Sequence, residues 1–180
     1  MSPDMFFRLD NHPPSALELT MNPTKNDIPA KTRTAVADLL NERLADLIDL
    51  QLQTKQAHWN VKGPTFIALH ELFDSIAEEL EDHVDDVAER ITALGGIAEG
   101  TVGAVGKRTT LAAYPLKITA GRDHVDALST AIALTGKNVR AAIDQCNELG
   151  DADAADLFTG ISRDLDKKLW FVEAHLQGDK

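Results

Sequence analysis

The chain has 180 residues, of which 43% are hydrophobic and only 5% aromatic, and its formal net charge at pH 7 is −11. This length implies one domain with a core of real size, and this charge argues against a folded surface made to bind phosphate backbones, which needs clustered Lys and Arg. An acidic surface attracts cations instead, while the single cysteine, Cys146, excludes an intrachain disulfide and fits a reducing cytosol.

The opening residues, MSPDMFFRLDNHPP, carry early acids and no long apolar run, so neither a secretory leader nor a membrane-spanning segment is expected. Residues 1–30 contain Pro3, Pro13, Pro14, Pro23 and Pro29 with little periodicity and read as a flexible N-terminal tail that includes His12. From Thr34 the pattern turns helical. Val36, Leu39, Leu40, Leu44, Leu47, Ile48 and Leu52 recur at helical spacing, and the run continues to about Val61. After Gly63-Pro64 a second helix is expected from Thr65 to about Leu94, on Phe66, Leu69, Phe73, Ile76, Leu80, Val84, Val87 and Ile91. Gly95-Gly96 ends it, as glycine commonly does just past a helix. A glycine-rich connection to residue 121, with Tyr114-Pro115, has room for one short helix. A third helix begins near Arg122, on Val125, Leu128, Ile132, Val139 and Ile143. Gly150 turns the chain, and a fourth runs from about Ala152 to Leu176 on Leu157, Phe158, Ile161, Leu165, Leu169 and Val172. Residues 31–177 thus read as an all-α, ferritin-like four-helix bundle: two helical hairpins joined by one long crossover. No strand-like alternation competes, and no repeat of solenoid period is present.

Chemistry concentrates around the first turn. In TKQAHWNVKGPTFIALHELFD, residues 54–74, His58 and His70 stand almost symmetrically about Gly63-Pro64, with Asp74 one helical turn further on. Folding back at the turn brings His58 level with about residue 70. Further along the second helix, Asp85 and Glu89 repeat the i, i+4 spacing of His70 and Asp74, so each pair shares a face. At about 100° per residue all four fall on one arc, yet Asp74 and Asp85 are about 16 Å apart along the axis. One ion cannot bridge that. Both pairs, His70 with Glu89 and Asp74 with Asp85, are centred between residues 79 and 80. A two-fold axis there would set His70 against Glu89 of the partner subunit, and Asp74 against Asp85 of the partner subunit, forming two identical sites.

Spacing permits such a site without selecting it. The chain has 29 acids, and Glu78 and Glu81 fall on or near the same arc, so a solvated acidic face accounts for much of the pattern. His83 projects away from the arc, as a surface residue or a support for the site. His124 and His175 lie near helix ends and read as surface histidines, and Trp59 and Trp170 as packing residues. No histidine has a glutamate three positions before it, so the Glu-x-x-His motif of within-bundle di-iron proteins is missing. That makes a site between subunits the more attractive reading. Imidazole with carboxylates suits iron, while spacing does not exclude zinc or manganese.

The run KQAHWNVKGPTFIALHELFD, followed by EDHVDDVAERITALGG, closely resembles the Dps family, the starvation-induced DNA-protecting miniferritins. The likeness continues through GT at 100–101, YP at 114–115 and ISRDLDKKLWFVEAHL at 161–176, and so covers about residues 34–177. It implies a ferroxidase centre shared by two subunits, with His58, His70 and Asp74 from one and Asp85 and Glu89 from the other; all five are present. It also implies a hollow homododecamer that oxidises Fe(II), with hydrogen peroxide as the usual oxidant, stores ferric mineral and protects against oxidative stress. Trp59 resembles the family tryptophan beside the centre, a supporting group or sink for stray oxidising equivalents. Glu148, Asp151, Asp153 and Asp156 resemble the acidic turn that lines the family's three-fold pores for iron, although acids at a helix N-terminus are favoured anyway. A cytoplasmic location, with or without nucleoid association, and no membrane partner are expected.

The departure concerns DNA. The best-known members use a lysine-rich tail, whereas residues 1–30 here hold Arg8 and Lys25 against Asp4, Asp10, Glu18 and Asp27, and the C-terminal QGDK adds little. Such a tail cannot neutralise many phosphates. DNA binding is not supported, and a DNA-compacting nucleoid protein with secondary iron chemistry stands as the alternative.

Overall fold

The computed structural model describes residues 21–177. His12, Pro3, Pro13, Pro14 and most of the expected tail lie outside the described residues, as do residues 178–180. Helices α1 (Ala30–Asn60) and α2 (Phe66–Ala93) form one antiparallel hairpin. The crossover contains the short α3 (Val102–Arg108) and leads to a second hairpin, α4 (Gly121–Leu149) with α5 (Ala152–Glu173), which ends in a 3-10 turn at Ala174–Leu176. Helix α1 packs on α2 and α4, and α5 packs on α4 and α2. The four long helices therefore form a bundle around Leu40, Leu44 and Leu47 of α1, Phe73 and Leu80 of α2, Leu128 and Ile132 of α4, and Phe158 of α5, all buried. Among the described residues there is no strand, only an isolated parallel bridge between Lys62 and Ala120. No helix among them is long and apolar enough to cross a membrane.

Residues 21–29 depart from the expected tail. Met21 and Ile28 pack against the core, and the Asn22 amide donates to the Gly95 carbonyl at 2.7 Å. Gly95 is required there: its φ is +88°, and an added Cβ would lie 2.6 Å from the Asn22 oxygen. From the other side Arg33 Nη1 donates to the Leu94 carbonyl at 2.7 Å, closing the end of α2.

The long crossover is fastened rather than slack, because buried polar groups of α1 need partners. Asn41 donates to the Ile97 carbonyl at 3.0 Å and accepts from the Glu99 amide at 2.9 Å. Asp46, fully buried, accepts from the Thr110 amide at 2.8 Å and its hydroxyl at 2.9 Å, and pairs with Arg43 at 3.2 Å. Gln53 donates to the Ala112 carbonyl at 3.1 Å. The crossover ends beside the first turn, where the Lys62 amide donates to the Thr119 carbonyl at 2.9 Å.

His124 corrects the expectation of a surface histidine. It lies in the first turn of α4 yet is 1% exposed, and Tyr114 Oη lies 2.6 Å from its Nδ1. Burial lowers the histidine pKa and raises that of the tyrosine, so the phenol keeps its proton and donates it to a neutral imidazole. In acid the folded state binds fewer protons at His124 than the unfolded state does. The stability this pair supplies is therefore intact above the unfolded value, about 6.5, and is lost as pH falls through the lower folded value. Denaturation midpoints should fall from pH 7 to pH 5, and should fall less in His124→Gln.

Candidate metal centre

The α1–α2 hairpin turns at Gly63, where φ is +111°, and faces the last turns of α1 with the first turns of α2. His58 and His70 meet there with ring centroids 3.7 Å apart and planes 20° from parallel. His58 Nδ1 lies 2.8 Å from the His70 carbonyl oxygen, and His70 Nδ1 lies 2.9 Å from the His58 carbonyl oxygen. A carbonyl can only accept, so each Nδ1 carries a hydrogen and donates it. In the neutral ring Nε2 then keeps its lone pair, the tautomer of a histidine ready to ligate through that nitrogen.

Asp74 completes the group. One carboxylate oxygen is 3.8 Å from His58 Nδ1 and accepts a hydrogen bond from Lys55 Nζ. That bond holds the carboxyl below its usual range; partial burial opposes it, and the two imidazoles and the ammonium charge add to it. Asp74 is thus an anion at neutral pH, tethered by a cation that sequence reasoning did not single out. Lys55 stands three positions before His58, a spacing that puts both on one face of α1, which is the signal that was available.

Asp85 and Glu89 are exposed on α2, about 16 Å and more beyond Asp74 along the axis. The single chain therefore does not bring them to the His58–His70–Asp74 group. Asp85 instead borders an open depression with Gln51, Glu81 and Asp82. Large apolar side chains crowd the hairpin end: Trp59 is 67% exposed, Ile67 60% and Phe66 42%, with the Phe66 ring 5.1 Å from that of His70. Trp59 is therefore not a core packing residue of the protomer.

The acidic turn divides. Asp151 points inward: it is 1% exposed, caps α5 by accepting from the Ala154 amide at 3.0 Å, and pairs with Arg90 at 2.6 Å. Glu148, Asp153 and Asp156 are exposed. Glu148 borders an open groove with Asp38 and Glu42 of α1, which extends the acidity across two helices.

A further group was not legible. His83, read as a surface or supporting residue, lies beside Glu79 of α2 and Asp164 of α5, with one ligand atom of each within 4.8 Å of the others. Glu79 and His83 are four apart, which alone is weak evidence, and Asp164 is too distant in sequence for any spacing rule to connect it.

The division within the acidic turn is measurable. Asp151→Ala removes a helix cap and leaves Arg90 without its buried partner, a loss of about 3 kcal/mol. Asp153→Ala, at a side chain 82% exposed, should stay within about 0.5 kcal/mol. Denaturant unfolding of both variants checks the difference.

Comparison with known proteins gives a consistent family. The family model of the ferritin-like domain matches residues 37–180. The DNA protection during starvation protein of Agrobacterium fabrum is 52% identical over 154 residues, 86% of this chain and 95% of the relative. The protein of the same name from Mycolicibacterium smegmatis is 37% identical over 147 residues, 82% of this chain and 80% of the relative. Among solved structures, Mycobacterium smegmatis Dps superposes with a TM-score of 0.82 at 35% identity, covering 88% of this chain and 94% of that one. DpsA14 from Streptomyces coelicolor does so with a TM-score of 0.83 at 38% identity, covering 89% and 95%.

Proposed function

The chain belongs to the Dps family of ferritin-like proteins, and on that premise we propose that it is a ferroxidase that oxidises Fe(II) at centres shared by paired subunits and stores the ferric product inside a homododecamer. The observation that carries the reading is the reciprocal bonding of His58 and His70, in which each Nδ1 donates to the other's carbonyl, with the Asp74 carboxylate 3.8 Å from His58 Nδ1. Asp85 and Glu89 of the partner subunit supply the remaining carboxylates across a two-fold axis near the middle of α2. The exposed Trp59, Phe66 and Ile67 support an interface at this place, since large apolar side chains left in water favour burial against a second copy.

Ferrous ion is the substrate. The histidines bind it in their fixed tautomers, and the carboxylates offset its charge and favour the more highly charged ferric product. Lys55 holds Asp74 in place until an ion arrives. Hydrogen peroxide is the co-substrate: two ferrous ions give it one electron each, its O–O bond breaks, both oxygens end at the level of water or hydroxide, and no hydroxyl radical is released. Zinc or manganese fits the same ligands without this electron transfer. Trp59, beside His58, supports the centre as a sink for stray oxidising equivalents. Glu148, Asp153 and Asp156 line the route for iron, with Asp151 fixing the turn that presents them.

The names of the relatives speak of DNA protection. For this chain we assign that protection to the removal of Fe(II) and peroxide together, in the cytoplasm, rather than to DNA compaction. The net charge of residues 1–30 disfavours phosphate contacts. A gel-shift titration should show no binding at physiological salt; tight, salt-resistant binding would restore the nucleoid reading.

Stopped-flow Fe(II) oxidation tests the centre. Peroxide should oxidise iron faster than O₂, and equal rates would count against the peroxide mechanism. His70→Ala and Asp85→Ala should each abolish most of the activity. Mixed after dissociation and reassembly, the two variants should regain roughly a quarter of the centres, because each mixed pair keeps one intact site. No recovery would overturn the sharing of the site between subunits.

A further inference from the structure

Helix α2 has a second chemically equipped face. At about 100° per residue, Glu79 and His83 lie on the side of α2 opposite His70 and Asp74, turned toward α5. There Asp164 meets them, and one ligand atom from each of the three side chains lies within 4.8 Å of the others.

Two observations separate this group from an ordinary surface cluster. His83 Nε2 is buried with no hydrogen-bond partner, 3.5 Å from Asp164 Oδ2. An unpartnered buried nitrogen is costly and calls for an explanation. These side chains also line a small, partly open cavity of about 10 Å³ with Lys168, walled by Ile76, Leu80 and Leu165. Such a space holds one water or one ion and nothing larger.

Lys168 sets the character of the site. Its Nζ lies 2.7 Å from Glu79 Oε2, and its side chain is only 10% exposed. One carboxylate oxygen of Glu79 is thus held by the ammonium, and the other remains for a ligand. Asp164, 46% exposed, opens the group to solvent.

We propose that Glu79, His83 and Asp164 bind one divalent transition-metal ion within each subunit, at a site separate from the shared interfacial centre, with Lys168 as its built-in electrostatic competitor. One imidazole nitrogen and two carboxylate oxygens, with no thiolate, suit Zn²⁺, Co²⁺ or Fe²⁺ and fit magnesium and calcium poorly. A three-ligand set leaves a coordination position for water. The neighbouring ammonium repels the ion and holds Glu79 when the ion is away, so the ion is exchangeable rather than structural.

The test uses full-length His58→Ala/His70→Ala protein, in which the interfacial ligands are disabled, titrated with Zn²⁺ by calorimetry and with Co²⁺ by visible absorption. One ion per subunit should still bind. Adding His83→Gln should weaken it at least about tenfold, and adding Lys168→Met should tighten it about tenfold by removing the competing charge. Loss of all stoichiometric binding in the double variant, or affinity unmoved by both further substitutions, overturns the site. Wild-type crystals soaked in Zn²⁺ give a second readout that needs no variant to fold. An anomalous peak among Glu79, His83 and Asp164 supports the assignment, and its absence at saturating Zn²⁺ overturns it. The interfacial ferroxidase reading stands or falls separately, on iron oxidation by the unmodified histidine pair.

Discussion

A straight α-helix holds Asp74 and Asp85 about 16 Å apart along its axis, and no side-chain rotation brings both to one ion. Everything proposed for the centre depends on that rigidity. Two histidines and one aspartate gathered at the hairpin end make half of the proposed ligand set. The other half travels on the same helix, out of reach of its own chain. If the halves belong together, binding iron and pairing subunits become one event, and the apolar side chains around Trp59 have a reason to face outward.

The half-set at the hairpin end is held by backbone as much as by side chains. Each histidine is oriented by the carbonyl of the other, and the two rings stack at 3.7 Å. The surrounding frame is equally constrained. Buried Asn41, Asp46 and Gln53 of α1 fasten the crossover, and the crossover in turn meets the first turn through Lys62 and Thr119. The Tyr114–His124 bond closes the same corner from the α4 side. Side chains placed on such a frame would need little reorganisation to bind an ion, which conserves binding free energy.

One electrostatic device appears on both faces of α2. Lys55 tethers Asp74 on one side, and Lys168 tethers Glu79 on the other. A partly buried carboxylate without a partner is costly, and an ammonium offsets that cost without forming a permanent bond. A divalent cation can compete for the same oxygens or share the carboxylate. Arg90 with Asp151 is a different case: the carboxylate is fully buried and also caps a helix, so the pair serves the fold and its exposed neighbours are left to meet solvent ions.

Much of this was legible in one dimension. Apolar residues at helical spacing marked all four long helices, because that period is set by backbone geometry and needs no knowledge of neighbours. Glycines at 63, 95 and 150 marked the turns because each takes a positive φ. The symmetric placement of His58 and His70 about Gly63 announced their meeting, since an antiparallel hairpin pairs positions equidistant from its turn. Tertiary structure alone decided the rest. It docked residues 21–29 on the bundle through Gly95, buried His124 under Tyr114, turned Asp151 inward to Arg90, and brought Asp164 to Glu79 and His83. Each of those contacts joins residues through the packing of separate elements, and spacing along a chain carries no information about which faces of two helices will meet.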